Sequence, residues 1–203
     1  ISFDIETTGL SAINDRITEI GAVRIRNGEI VENFNTFCNP ERPIPPKITE
    51  LTGITDDMVR EAPSEREAVS AFLSFCGEDT VLLAHNAPFD TSFIKAACQR
   101  HNMEFSYPYI DTVPMCRAMI KDGIKNYKLD TVAKHLKLAP FNHHRASDDA
   151  TVLANIFLVL LTRLKEDHNA QSVSEINTLL AGADVKKMMT FHQIILVKNQ
   201  VGL

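Results

Sequence analysis

Residues 1–10 read ISFDIETTGL, and residues 17–37 read ITEIGAVRIRNGEIVENFNTF. In the longer stretch two β-rich runs meet at Asn27-Gly28. That pair suits a type I′ turn, in which both central residues need positive φ, so the reading is a hairpin. In the first stretch polar and apolar side chains alternate from Ser2 to Glu6, the pattern of a strand with two unlike faces. Together they predict an antiparallel meander of three strands. Asp4 and Glu6 then share one face, with Phe3 and Ile5 on the other. Two like charges so close repel, and no basic residue in this stretch offsets them. Either that face is wet, or a divalent cation holds it together.

Further along, NPERPIPP (39–46) has four prolines and reads as a loop. ITELTG (48–53) reads as a short helix closed by Gly53, with Thr55 capping another from Asp56. Ser64 and Glu67 form a capping-box pattern ahead of Val69, Phe72, Leu73 and Cys76 at helical spacing, and Gly77 ends that helix. TVLLAH (80–85) is a buried strand, and a helix runs from Pro88 to about Arg100. YIDT (109–112) is a last short strand and LDTVAKHLKL (129–138) a helix. A meander followed by βα units predicts an α/β fold, a central mixed sheet flanked by helices. Beyond residue 168 the character changes to a polar stretch and a strand-like FHQIILVKN (191–199). The expected division is a domain over 1–168 and a C-terminal extension over 169–203.

The chain has 203 residues, 44% hydrophobic and 23% charged, within the range of one ordinary globular domain. It opens in mid-strand without Met, so it is expected to be a piece of a longer chain. A net charge of −5 argues against a broad binder of duplex nucleic acid, but not against a narrow site whose charge is met by metal. The four cysteines lie far apart without zinc-ligand spacing, and are read as buried reduced thiols in a cytoplasmic protein. No apolar run long enough to span a membrane is present.

Besides Asp4 and Glu6, two further acidic places stand out. Asp90 falls in the first turn of the helix after LLAHN, where a carboxylate also stabilises a helix dipole. The third is HHRASDDATVLANIFLVLLTRL (143–164), where His143 pairs with Asp148 or His144 with Asp149 at His-x4-Asp spacing. Leu153, Ile156, Phe157, Leu160, Leu161 and Leu164 form one apolar stripe. Asp149 lies one turn before Leu153, about 40° from its direction, whereas Asp148 leads into a mixed flank. A carboxylate in line with a buried stripe must be desolvated, which is costly unless it is paired or metal-bound. That favours Asp149, and His144 with it; His143 reads as a surface neighbour and Phe141 as packing. Four carboxylates and one imidazole suit hydrolysis of a phosphodiester with two hard divalent ions about 4 Å apart.

Taken together, FDIETTGL (3–10), HNAPFD (85–90) and HHRASDDA (143–150) resemble the three motifs of the DEDDh 3′→5′ exonucleases. That family has a ribonuclease H-like fold, and the resemblance covers about residues 1–165. It implies Asp4, Glu6, Asp90 and Asp149 as ligands of two divalent ions, Mg²⁺ or Mn²⁺, and His144 as general base. It also implies that Thr7, Thr8, Gly9 and Leu10 contact the 3′-terminal nucleotide. A narrower resemblance runs through GLSAINDRITEIGAVRIRNGEI (9–30) and ITELTGITDDMV (48–59) to the proofreading domain of PolC-type DNA polymerase III α chains. There the exonuclease interrupts a PHP domain, and residues 191–203 resemble resumed PHP sequence.

The expectation is a metal-dependent exonuclease that removes nucleoside monophosphates from single-stranded DNA 3′ ends inside a larger polymerase chain. Its rivals are an RNA-trimming enzyme of the same family and a non-catalytic binding or scaffold module. All five catalytic positions are filled, which argues against the last.

Overall fold

The computed structural model of the chain describes residues 1–120 and 122–168. The expected extension over 169–203 and its strand-like run over 191–199 lie outside the described residues. Strands β1 (Ser2–Thr7), β2 (Ile17–Arg26) and β3 (Glu29–Phe37) form the antiparallel meander. Asn27 and Gly28 take φ of 53° and 82°, as the hairpin turn requires. Strands β4 (Leu82–Ala84) and β5 (Tyr109–Asp111) join in parallel on the other side of β1, giving the order β3-β2-β1-β4-β5. β1 is thus central, with an antiparallel neighbour on one side and a parallel one on the other.

The connecting helices are α1 (Pro46–Thr52), α2 (Asp56–Val59), α3 (Glu65–Cys76), α4 (Pro88–Arg100), α5 (Thr112–Met119), α6 (Leu129–His135) and α7 (Ala146–His168). Local chemistry sets their ends. Gly53 closes α1 in the left-handed region, Thr55 caps α2, and the Ser64–Glu67 capping box opens α3. Two sequence expectations need correction. β4 is shorter than 80–85, because the Thr80 hydroxyl donates to the Cys76 carbonyl (2.6 Å) and the His85 ring bonds to Thr112 and the Tyr127 carbonyl instead. And α5 follows β5 directly: Asp111 ends the strand and its carboxylate caps the helix at the Val113 N–H (3.0 Å).

The two faces of the sheet bury different things. Phe3 and Ile5 of β1 join Ile20, Ala22, Phe72, Val69 and Phe93 under α3 and α4. Each of the Val, Ile and Phe side chains among them contributes about 1.5–3 kcal/mol by leaving water. On the opposite face α7 lies across β1 and β2, its Leu153, Ile156, Leu160 and Leu164 buried as the stripe requires and Phe157 and Leu161 half-buried. Its first turn comes unusually close to the strands. A Cβ on Gly21 would stand 2.1 Å from the Ala146 carbonyl carbon, and the Ser2 hydroxyl donates to the Ala150 carbonyl at 2.8 Å. Gly21 is the register partner of Asp4. Small residues on both sides therefore bring the start of α7 down onto the strand that carries the acids.

All four cysteines are free and buried, as expected. No helix of the described residues is long and apolar enough to cross a membrane.

Candidate active site

Asp4 and Glu6 project from β1 toward α7, and Asp149 comes down to meet them from the first turns of that helix. One oxygen from each of these three carboxylates lies within 4.8 Å of the other two. Glu6 is 9% and Asp149 3% exposed, while Asp4 sits deep but keeps an opening to solvent. Asp90 approaches from α4 and is 3% exposed. Burial outweighs the backbone N–H groups of Asp90 itself and of Ile5, which favour its charged form.

Burial and mutual repulsion govern the ionisation of these groups. Burial raises Asp4 well above the usual carboxylate range, and the charges of Asp90, Asp149, Glu6 and Glu19 raise it further. Glu6 and Asp90 are each pushed up to about 8, again chiefly by burial. Burial also raises Asp149, although hydrogen bonds from His143 and from the His144 backbone oppose it. Among the described residues no Lys or Arg forms an ion pair with Asp4, Glu6, Asp90 or Asp149. Clustered buried carboxylates that no Lys or Arg pairs with fit a divalent metal ion, and a ring nitrogen of each of His143 and His144 lies within 4.8 Å of an Asp149 oxygen.

The two histidines differ from their sequence reading in one respect. His144 has φ of 67°, and its backbone N–H donates to Asp149 Oδ2 at 3.0 Å. Burial and the neighbouring His143 lower the pKa of its ring. That shift favours the neutral imidazole, the form able to accept a proton. His143, read as a surface neighbour, has a half-exposed side chain but also reaches Asp149, with Nδ1 at 3.0 Å and 3.2 Å from its two oxygens. The His143 and His144 rings stack with centroids 3.9 Å apart, and Phe141 meets His143 edge-on. Asp148 stays half-buried outside the cluster, in accord with helical phase.

The turn after β1 is stiff. Thr7 Oγ1 donates to the Gly9 carbonyl, the Thr8 N–H donates to the Arg16 carbonyl and the Arg16 N–H to Thr8 Oγ1. Any side chain at Gly9 would collide with the Asp15 carboxylate, 2.5 Å from its Cβ. Asp15 in turn accepts from the Ser11 N–H, and Arg100 donates to the Ala12 carbonyl. This turn leaves Leu10 86% exposed.

Sequence reasoning missed three charged groups near the cluster. Glu19 is fully buried and pairs with Arg145, and Asp111 holds the N–H groups of Asn86 and Val113. Glu19 left one trace, an acid between Thr18 and Ile20 in a run otherwise suited to burial. Its partner lies 126 positions away, beyond any local pattern.

With this geometry in view, residues 1–157 match the exonuclease family of RNase T type. The chain belongs to this exonuclease family. Among relatives, the chain is 48% identical over its whole length to a PolC-type DNA polymerase III of Caldanaerobacter subterraneus and 39% identical to that of Thermotoga maritima. It spans only 14–15% of the length of these relatives. Among solved structures it resembles exonuclease X in complex with 5′-overhanging duplex DNA. That match has a TM-score of 0.66 and 28% identity, covering 79% of this chain and 89% of the other. Exonuclease I of E. coli with a dA16 oligonucleotide shares the fold at a TM-score of 0.71 and 20% identity, over 81% of this chain and 41% of its own. The exonuclease thus has a ribonuclease H-like α/β fold, with its mixed sheet and flanking helices as expected from the sequence.

Proposed function

We propose that this exonuclease hydrolyses the terminal phosphodiester of single-stranded DNA 3′ ends, releasing nucleoside monophosphates, as the proofreading part of a PolC-type polymerase chain in the cytoplasm. The observation that carries this reading is the convergence of Asp4, Glu6 and Asp149 on one point, with Asp90 and His144 beside it. In this reading Asp4, Glu6, Asp90 and Asp149 hold two divalent ions, Mg²⁺ or Mn²⁺. When bound, such ions offset the carboxylate charge and stabilise the charge that builds up on the phosphoryl oxygens.

The rest of the chemistry belongs to the protein. His144 takes a proton from the attacking water while the water oxygen bonds to phosphorus. The bond from phosphorus to the preceding 3′-oxygen breaks, and that oxygen leaves with the electron pair. Asp149 holds the turn carrying His144 through the His144 N–H. Thr7, Thr8, Gly9 and Leu10 hold the last nucleotide, the stiff turn keeping Leu10 against its base without reordering. Residues 169–203 would be the point where the exonuclease rejoins the parent chain.

The test is degradation of 3′-labelled and 5′-labelled single-stranded DNA and matched RNA, with Mg²⁺, Mn²⁺ or EDTA. Shortening from the 3′ end that needs metal and is faster on DNA supports the proposal. Faster loss of RNA would overturn its DNA specificity, and absence of cleavage of either would overturn the enzymatic reading.

A further inference from the structure

We propose that Glu19 and Arg145 form a positioning pair for the exonuclease reaction. It fixes the turn carrying His144 and the start of α7 relative to Asp4 and Glu6. The inference rests on the catalytic reading above, but its geometry is separate from the ligand set. Glu19 is 0% exposed and is the register partner of Glu6 across β1 and β2, so it is anchored one strand away from the acids. Its Oε1 accepts from Arg145 Nη2 at 2.9 Å, and its Oε2 accepts from Arg145 Nε and the Ala146 N–H, both at 3.2 Å. One carboxylate thus binds a guanidinium with two prongs and caps the first N–H of α7. The Arg145 guanidinium also lies over the Phe37 ring at 5.4 Å, a further restraint on its position.

The connection to chemistry is short. Arg145 directly follows His144, and α7 begins at Ala146, so three consecutive residues are held from two sides. From one side Asp149 accepts the His144 N–H; from the other Glu19 grips Arg145 and Ala146. His144 stays in the left-handed region between the two grips, a conformation that few non-glycine residues keep without support. A buried glutamate with a fixed partner 126 positions away is a strong constraint on how α7 meets the sheet. Displacements near 1 Å in such an assembly reduce turnover by about 10²-fold.

The test uses the 203-residue chain with Glu19→Gln, Arg145→Met and the double variant, which leaves net charge unchanged. Melting temperature, Mn²⁺ affinity by calorimetry and steady-state kinetics on a single-stranded oligodeoxynucleotide are measured together. Positioning predicts that the folded double variant loses about 10–100-fold in kcat, with KM altered less than about twofold, and binds Mn²⁺ several-fold more weakly. Arg145→Met separates geometry from charge: removing a positive charge beside Glu6 would by itself tighten Mn²⁺, whereas loss of positioning weakens it. The two single losses should not add, because either change breaks the same unit. A folded double variant with wild-type kcat and wild-type Mn²⁺ affinity overturns the proposal. So does a kcat loss no greater than the unfolded fraction. If the unsubstituted 203-residue chain cleaves nothing while the variants still weaken Mn²⁺, the catalytic reading fails, and with it the pair's role in a reaction, leaving only its hold on the acids.

Discussion

Glu6 and Glu65 are buried to nearly the same degree, 9% and 7% exposed, yet their ionisation moves in opposite directions. Glu65, at the start of α3, accepts from Arg100 at 2.9 Å and 2.7 Å and pairs with His101 at 3.0 Å. Burial alone would push it up, but the hydrogen bonds and charge of Arg100 and the contact with His101 bring it below its ordinary value. Glu6 has no such partner and is pushed up to about 8. Arg145 stands near enough to lower Glu6 slightly, but its fork is committed to Glu19. The fold supplies arginines to the acids that tie elements together and withholds them from the acids around Asp4. A buried acid left without its cation is the place where an exogenous one belongs.

The most severe way to break the contrast is to remove one of the acids that no Lys or Arg pairs with. Asp149→Ala should lower turnover on single-stranded DNA by about 10³-fold or more, corresponding to roughly 4 kcal/mol of transition-state stabilisation. The chain should stay folded, since removing one of several repelling carboxylates relieves the metal-free state. Circular dichroism and kinetics on the same preparation check both parts. A variant keeping a tenth of wild-type turnover would remove Asp149 from the site.

The pH dependence of the metal-free chain sharpens the same contrast. Glu6 and Asp90 ionise near 8 in the folded chain, against 4.5 and 3.8 for the unperturbed groups. Between those values the folded state holds more protons than the unfolded one, so stability falls as pH rises through this window and is lowest above 8. With EDTA, the melting temperature at pH 9 should lie at least about 5 °C below that at pH 6. Saturating Mn²⁺ should remove most of the difference. A curve flat from pH 6 to 9 without metal would mean that these acids are not desolvated as described.

Close approach of α7 is what sets the acids together, so Gly21→Ala is the next test. Its Cβ would lie 2.1–2.3 Å from the backbone of Ala146 and Ser147, which cannot move aside like a flexible side chain. The cost should be about 1–3 kcal/mol in stability, seen in denaturant unfolding. Turnover should fall more than stability explains, because α7 carries Asp149. Unchanged turnover would mean that the helix position tolerates displacement.

Much of this arrangement was legible in the sequence, and the rest was hidden for physical reasons. Alternation in SFDIE put Asp4 and Glu6 on one face, Asn27-Gly28 gave the hairpin, and the phase of Leu153 to Leu164 separated Asp149 from Asp148. Those signals are local, since strand and helix periods are written in neighbouring residues. Glu19 with Arg145 and Gly21 with Ala146 are contacts between distant segments, visible only once β2 and α7 meet. Helix α5 escaped for another reason: Asp111 ends a strand and caps a helix at once, so no loop signal separates the two elements.

The smallest expected effects are a matched pair of isosteric changes with opposite signs. Glu65→Gln removes the charge that Arg100 and His101 face, so it should lower the melting temperature at pH 8 by a few degrees, about 1–2 kcal/mol. Glu6→Gln removes a buried charge that lacks a partner, so in EDTA at pH 8 it should leave the melting temperature unchanged or raise it. Adding Mn²⁺ should then separate the two in reverse. The Glu65 variant should be stabilised by metal as much as the parent chain, because Glu65 bonds to Arg100 and His101 and stands apart from the carboxylates clustered around Asp4. The Glu6 variant should lose most of that stabilisation, since a ligand bound only by the folded state stabilises in proportion to its affinity. If both substitutions lowered the metal-free melting temperature equally, the unpaired state of Glu6 would carry no penalty. The contrast between the two buried glutamates would then be one of position alone, with no energetic consequence.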